Sequence, residues 1–527
     1  MSKPSFDLIK EPWIPVVTST GEARTMGLRD VLVRSHALRE VADASPLTTF
    51  AIYRLLLALI HSVLRGPTTT AEWKSLWSAE RFDAKKIDSY FAQWGDRFDL
   101  FHPKYPFMQI AGFETVKGET AVSAPVIRLL LEVASGNNAT LFDHTTELEG
   151  RSLDAATAAR ALVTAQAWGL GGGQGPTSRN FGKHPYMAHA PCVGAVCTLV
   201  WGPTLFKTLC ANLARLGGDV PFSSDAQDCP TWERATPRPP KAAVPTGYLE
   251  YLTWQARHVR LLPSADGASV AEMFFAQGTL LDLETGYQNP FASVRVSDEK
   301  GELPVRLDPD RAIWRDSAAL FAVPDHKSSK PPAAVSFCRS RHGSKLVSQN
   351  DIVNLACFGL ANDKAKPLLW RREHLTATIR LLDDPEAVAE LEAALSDIEA
   401  TWTALKDALR KLAYCSLETD SKKPDRTEVT RIHDRLVSRV SFWDRVEDGF
   451  HVFVREPTPD ARARWIDGAR KAAHRALADQ AAQFSQGSLD RRDRALALAT
   501  LQLRRELPRP REDQGIESNT IAMEPSA

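Results

Sequence analysis

Cysteine is scarce in this chain of 527 residues. There are seven, an odd number, scattered singly. The nearest pair, Cys192 and Cys197, has no second pair to match it, which argues against a zinc knuckle and against a disulfide framework, and fits a reducing cytoplasm. Net charge is also missing: 65 Lys plus Arg balance 65 Asp plus Glu. That balance excludes a freely acting polycationic binder of nucleic acid, but leaves room for local basic surfaces used inside an assembly. No apolar run approaches twenty residues, and the opening Met-Ser-Lys-Pro-Ser-Phe-Asp has no apolar signal core, so secretion and membrane spanning are not expected.

Catalytic signatures are lacking too. There is no Gly-x-Ser-x-Gly, His-Glu-x-x-His or Cys-x-x-Cys. The run from Gly169 to Gly175 fits no dinucleotide register, and Gly182-Lys183 lacks the rest of a phosphate loop. A metal-dependent nuclease would have to draw on His433-Asp434 or on Asp308 and Asp310. His433 lies on an amphipathic helical pattern between Arg431 and Arg435 and reads as surface, and Asp308-Pro309-Asp310 reads as a turn. A hydrolytic metal site needs several converging ligands. No enzyme activity, metal or cofactor is expected.

What is present divides the chain in two. Residues 1–376 read as a large, irregular mixed α/β domain. Phe6–Ile9 looks like a strand, with Pro12 and Pro15 suited to an edge position rather than a central strand. Residues 47–64 form a buried helix carrying Arg54, another helix covers about 152–167, and short β-like runs fall at 194–201 and 292–296. Residues 222–245 and 322–346 read as surface loops. From Asp384 the texture changes. Asp384-Pro385-Glu386 supplies an N-cap, a first-turn proline and an acid. Val388, Leu391, Leu395, Ile398, Trp402, Leu405, Leu409 and Leu412 then recur at alternating spacings of three and four, a heptad seam. Further helical segments near 427–446, 459–484 and 489–506 make a four-helix bundle over 377–507 the economical packing, with 508–527 a frayed tail. The expected fold class is α+β.

Three ordered stretches resemble the CasA family, the large subunit of the type I-E CRISPR surveillance complex Cascade. These are Phe6-Asp7-Leu8-Ile9-Lys10-Glu11-Pro12-Trp13-Ile14-Pro15-Val16, then Arg54-Leu55-Leu56-Leu57-Ala58, then Phe98-Asp99-Leu100-Phe101-His102-Pro103 with Pro106-Phe107-Met108-Gln109. Gly171-Gly172-Gly173 and Tyr251-Leu252-Thr253-Trp254-Gln255 follow in order. The resemblance implies a non-catalytic subunit whose partners are guide RNA, double-stranded target DNA, other Cascade subunits and a helicase–nuclease effector. It would read a short motif flanking the target, the PAM, and help start duplex opening, while guide pairing supplies target specificity. A stand-alone nucleic-acid-binding scaffold outside CRISPR, or a structural subunit of another ribonucleoprotein, is the alternative that composition alone allows.

The resemblance also assigns residues, each with a plainer reading beside it. Gly171, Gly172, Gly173, Gln174 and Gly175 would meet the DNA minor groove through backbone that only glycine lets come so close; alone, they read as a flexible loop. Asn362, Asp363 and Lys364 stand where the family inserts a wedge beneath the motif, Lys364 replacing a glutamine and Asp363 an asparagine; alone, they read as a solvated turn. A lysine can reach a phosphate but cannot both donate and accept as an amide does. Lys300 would reach into the minor groove, or is an exposed hairpin lysine. Phe142, Asp143 and His144 fall in the loop expected to dock on guide RNA, with Phe142 stacking on an unpaired base or else belonging to the core. Arg464, Lys471 and Arg475 share one face of the third bundle helix and could track a DNA backbone, or simply face solvent.

Overall fold

In a computed structural model, the chain is described at residues 3–112, 115–116, 119–120, 123–133, 151–172, 187–216, 218–220, 222, 227–282, 289–322, 329–343, 351–418, 423–483 and 489–508. It divides into two compact units, Met1–Val388 and Ala389–Ala527. The fold is α+β, with a helical C-terminal region.

The N-terminal unit is organised around the helix Pro46–Leu64. Pro46 occupies the first turn, where its missing N–H is not needed. This helix is long and apolar enough by length and composition to cross a membrane, but it is surrounded by the rest of the unit: residues 47 to 61 are all buried. Arg54, its one charged member, donates to the Tyr251 carbonyl. Phe50 is the hub, with Trp168, Phe291 and Phe358 packed around it at ring-centroid distances of 5.6, 5.3 and 5.5 Å. Those three rings belong to the helix Ala155–Trp168, to the segment before the hairpin Val294–Ser297/Gly301–Pro304, and to the strand Ile352–Asp363.

The opening segment corrects the expectation of a strand at Phe6–Ile9. These residues lie against 98–100, with Leu8 N donating to Phe98 O and Leu100 N to Phe6 O. The first strand is Ile14–Thr18, central between Ala23–Met26 and Leu38–Val41. Pro15 is therefore in a central strand, not at an edge. It is tolerated where pairing with Leu38–Val41 is running out, and its carbonyl still accepts the Ala42 N–H at 3.0 Å.

The segment 322–346 is also not wholly a loop. Pro331-Pro332 leads into a helix, Ala333–Gly343, whose Ala334, Val335, Phe337 and Cys338 are buried, with Phe337 set edge-on to Trp73. In 222–245, Trp232 is buried within a short 3-10 turn.

A three-stranded antiparallel sheet carries the longest hairpin of the described residues. Ile352–Asp363 pairs with Lys366–Thr378 on one side and with Cys197–Trp201 on the other. Segment 305–313 braces it: Leu307 lies against Gly359, Arg371 donates to the carbonyls of Asp308, Pro309 and Arg311, and Glu373 accepts from Ile313 N at 2.7 Å.

The C-terminal unit is helical. The heptad seam falls on the helix Pro385–Leu417, where Leu391, Leu395, Ile398, Leu405, Leu409 and Leu412 are buried and Trp402 half-buried. The second expected segment is two helices, Arg426–Val437 and Phe442–Phe453, and Trp402 stacks on Phe442 just after the break. Pro459–Ala482 and Leu489–Glu506 complete the unit. Arg462 ties the third segment to the first through Glu390 and Asp397.

Gly449 shows how tightly these helices meet. A Cβ there would lie inside the envelope of the Trp465 ring, which is held by its Nε1–H bond to Val446 O at 2.9 Å. Alanine would gain about 1 kcal/mol of helix propensity but force overpacking worth roughly 1–3 kcal/mol or more. Gly449→Ala should therefore lower stability by about 1–2 kcal/mol in urea unfolding, and a stabilised variant would contradict this packing.

Candidate nucleic-acid interface

The wedge candidates sit at the tip of the long hairpin. Asp363 pairs with Lys366, leaving Lys364 and Ala365 as a two-residue turn. Lys364 has φ +53°, the left-handed conformation such a turn requires. Asn362 Nδ2 donates to Lys364 O at 2.7 Å and locks the turn from inside. The side chains of Asp363, Lys364 and Lys366 are exposed. The tip thus presents two lysines and one carboxylate on a rigid two-strand support.

The glycine turn meets this tip. Gly172 has φ +121°, and a Cβ on it would approach Ala365 Cβ to 2.7 Å. Only glycine allows that contact without displacing the tip. Gly171 is equally confined, since a Cβ there would lie 2.8 Å from Met187 O, and its N–H donates to His189 Nδ1 at 2.9 Å. The turn is held from behind by Arg257, which is buried and whose Nη2 donates to the carbonyls of Gly169 and Leu170, both at 2.9 Å. Burial pushes the Arg257 guanidinium down to about 10, so it stays charged at neutral pH. Gln166 fixes Arg257 in turn, accepting from its N–H and donating to its carbonyl. Burial also lowers His189, with Arg257 and Arg306 acting in the same direction, so its imidazole is neutral and free to accept from Gly171.

Two of the expected contacts, Gly171–Gly172 and Asn362–Lys364, are therefore brought together from positions almost 200 residues apart. Gly173, Gln174 and Gly175 lie outside the described residues, as do Phe142, Asp143 and His144. Lys300 is exposed in the turn of the hairpin Val294–Ser297/Gly301–Pro304, where Gly301 takes φ +67°. The stem is held by ion pairs of Arg295 with Asp316 and of Lys330 with Glu302. The described contacts do not bring Lys300 to the tip.

Arg464, Lys471 and Arg475 are all exposed on the helix Pro459–Ala482, but Asp467 pairs with Lys471 at 2.6 Å and offsets part of the stripe. Lys366 and Arg257 escaped the sequence reading. The first had a signal, a lysine two positions from the tip; the second, a buried arginine contacting backbone 87 residues away, had none.

The residues weighed for hydrolysis do not converge. His433 is buried rather than on the surface, with Nδ1 3.1 Å from its own neighbour Asp434. Helix Arg426–Val437 turns that side inward together with Val429, Ile432 and Leu436. Asp308 accepts from Asp310 N at 2.8 Å, the geometry of a turn. Among the described residues no group of three or more His, Cys, Asp or Glu is placed to hold a metal.

An α+β unit bearing a braced, lysine-tipped hairpin, followed by a helical bundle, is a defined class of architecture, and comparison with known proteins places it. The family model of CRISPR-associated protein Cse1 matches residues 7–484. CRISPR-associated protein CasA/Cse1 of Thermus thermophilus is 32% identical over 481 residues, spanning 89% of this chain and 91% of that protein. The crystal structure of Thermus thermophilus CasA superposes with a TM-score of 0.79 at 28% identity, covering 95% of this chain and 99% of that one. Cse1 from Acidimicrobium ferrooxidans gives 0.73 at 25% identity, covering 96% and 100%. A chain of a CRISPR RNA-guided surveillance complex shares the fold, with a TM-score of 0.77 at 22% identity over 95% of this chain and 99% of that one. The chain belongs to the CRISPR-associated Cse1 (CasA) family.

Proposed function

We propose that this chain is the non-catalytic large subunit of a type I-E CRISPR surveillance complex, and that it recognises the PAM of duplex DNA. The observation that carries the reading is the packing of Gly172 against Ala365, which sets a glycine backbone beside an exposed lysine-tipped turn. The lysines suit a minor groove, whose pattern of donors and acceptors is degenerate and whose potential is negative. The N–H groups of Gly171 and Gly172 are taken by His189 Nδ1 and Met187 O, so what these glycines supply is close approach of backbone without side chains. Lys364 would enter beneath the motif and hold the first base step open while guide RNA begins to pair. Gly173 to Gly175 and Lys300 would extend the contact, Phe142 to His144 would meet guide RNA, and Arg464, Lys471 and Arg475 would follow displaced DNA. The assembled complex would then recruit a helicase–nuclease. The family membership and the shared fold with a surveillance-complex chain support this role.

Lys364→Ala tests the wedge. It removes one charge-assisted contact of about 1–1.5 kcal/mol, so opening of a matched duplex, followed by a fluorescent base analogue beside the motif, should slow by roughly fivefold to tenfold. Affinity for duplex without the motif should change less than twofold. Equal losses on both would make Lys364 a general phosphate contact and remove the wedge.

A further inference from the structure

A second basic site lies away from the hairpin, in a cavity of about 120 Å³. Its walls come from the block Arg97–Ala111, from residues 231–237 and from Gln255, and none of the lining residues is acidic. The sequence block is one that carries the family resemblance, yet the function above makes no use of it. The volume is that of about four water molecules, enough for one compact oxyanion with some hydration.

Arg97 is the unusual member. Its side chain is 16% exposed, yet among the described residues its guanidinium has no hydrogen-bond acceptor, only Asp96 at 3.7 Å. Its Nε is buried without an acceptor, and a buried N–H normally finds one because going without carries a desolvation cost. Instead Arg97 lies flat on the Tyr105 ring, 3.5 Å from its centroid. Lys104 is exposed, with its Nζ 5.0 Å from the same ring, and no carboxylate pairs with it among the described residues. Arg234 uses Nη2 on Thr246 and Glu250, leaving Nε without an acceptor.

The site is also rigid before any ligand arrives. His102 Nδ1 accepts the N–H groups of Lys104 and Tyr105, at 3.2 and 2.8 Å, and its ring stacks on Tyr105. Gln109 donates to Leu100 O and accepts from Leu261 N, and Trp232 Nε1 is held by Tyr90. A guanidinium held on an aromatic ring, with an exposed ammonium beside it at the edge of a small water-sized space, is an arrangement that binds a phosphate by charge-assisted hydrogen bonds.

We propose that this cavity is a phosphate-binding site, in which Arg97 and Lys104 supply the charge and Arg234 and Gln255 the remaining donors. The phosphate would be either a phosphodiester of a nucleic-acid strand or a free phosphate. This site is independent of the hairpin reading and stands or falls separately.

The test is calorimetric titration of the full chain at constant ionic strength with two probes, inorganic phosphate and a single-stranded pentanucleotide without terminal phosphates. Saturable binding of the pentanucleotide assigns the strand backbone as the source, and binding of phosphate alone assigns the free ion. In either case Arg97→Gln should weaken binding about tenfold or more, and Lys104→Gln about threefold to tenfold. Lys104 is exposed, so its variant keeps the test open if Arg97→Gln fails to fold. The proposal is overturned if neither probe binds saturably, or if folded Lys104→Gln binds both as tightly as the unaltered chain.

Discussion

Phe50→Ala should cost roughly 3–5 kcal/mol, a large part of the 5–15 kcal/mol typical of a whole domain. Phe50 is fully buried and meets Trp168, Phe291 and Phe358, three rings from three separate parts of the N-terminal unit. Losing it forfeits both the transfer of the ring from water and the edge-on contacts, and opens a cavity whose walls are held by a helix and a sheet and cannot close easily. Two of those walls lead to the interface: Trp168 ends the helix just before Gly169, and Phe358 lies in the strand that runs to the hairpin tip. Phe50→Leu keeps most of the volume and should cost less than half as much. Urea unfolding of the three proteins checks the order, with the slope unchanged. A loss below about 1 kcal/mol for Phe50→Ala would mean that this aromatic hub is not the centre of the core.

Mild acid should destabilise the protein steeply, because His61 and His258 are both buried as neutral imidazoles. Burial pushes each down to about 4 from the ordinary 6.5; the carbonyl of Gly66 opposes the shift at His61, and a backbone contact with Arg238 opposes it at His258. Between pH 6.5 and 4 the unfolded chain takes up protons at these positions and the folded chain does not, so stability falls as pH falls through that window. By pH 4 the loss approaches about 3 kcal/mol for each histidine. The carboxyls of Asp228 and Glu233, pushed up by burial, act in the opposite sense and soften the lower end of the curve. His61→Gln should remove about 3 kcal/mol from the loss between pH 6.5 and 4, whatever its effect at neutral pH. An unchanged slope in that variant would show that His61 is not buried neutral.

The sequence made some of this structure readable and concealed the rest for definite reasons. The heptad seam and the apolar run at 47–64 were legible because each is set by local periodicity, and burial follows that periodicity directly. The helix Ala333–Gly343 was not legible, because its Ser and Arg content resembles a loop and only packing of Phe337 against Trp73 reveals an inner face. Pro15 misled for a related reason: proline's rule concerns a missing N–H, and Pro15 lies one residue outside the paired register with Leu38–Val41, which begins at Val16. In the site, the hairpin turn was visible as a short polar run between apolar segments. Its contact with Gly172 was not, since no local pattern links two residues so far apart. The same holds for Arg97, whose isolation from acceptors is a property of the fold alone.

The most direct test of the central claim is a gel-shift titration of duplex DNA with guide-loaded complex, assembled with and without this chain, on targets with intact or scrambled flanking sequence. PAM reading by the glycine turn and hairpin tip predicts tight binding only when both the chain and the correct flank are present, and at least tenfold weaker binding when either is missing. Binding that is equally tight without the chain, or indifferent to the flank, would contradict it.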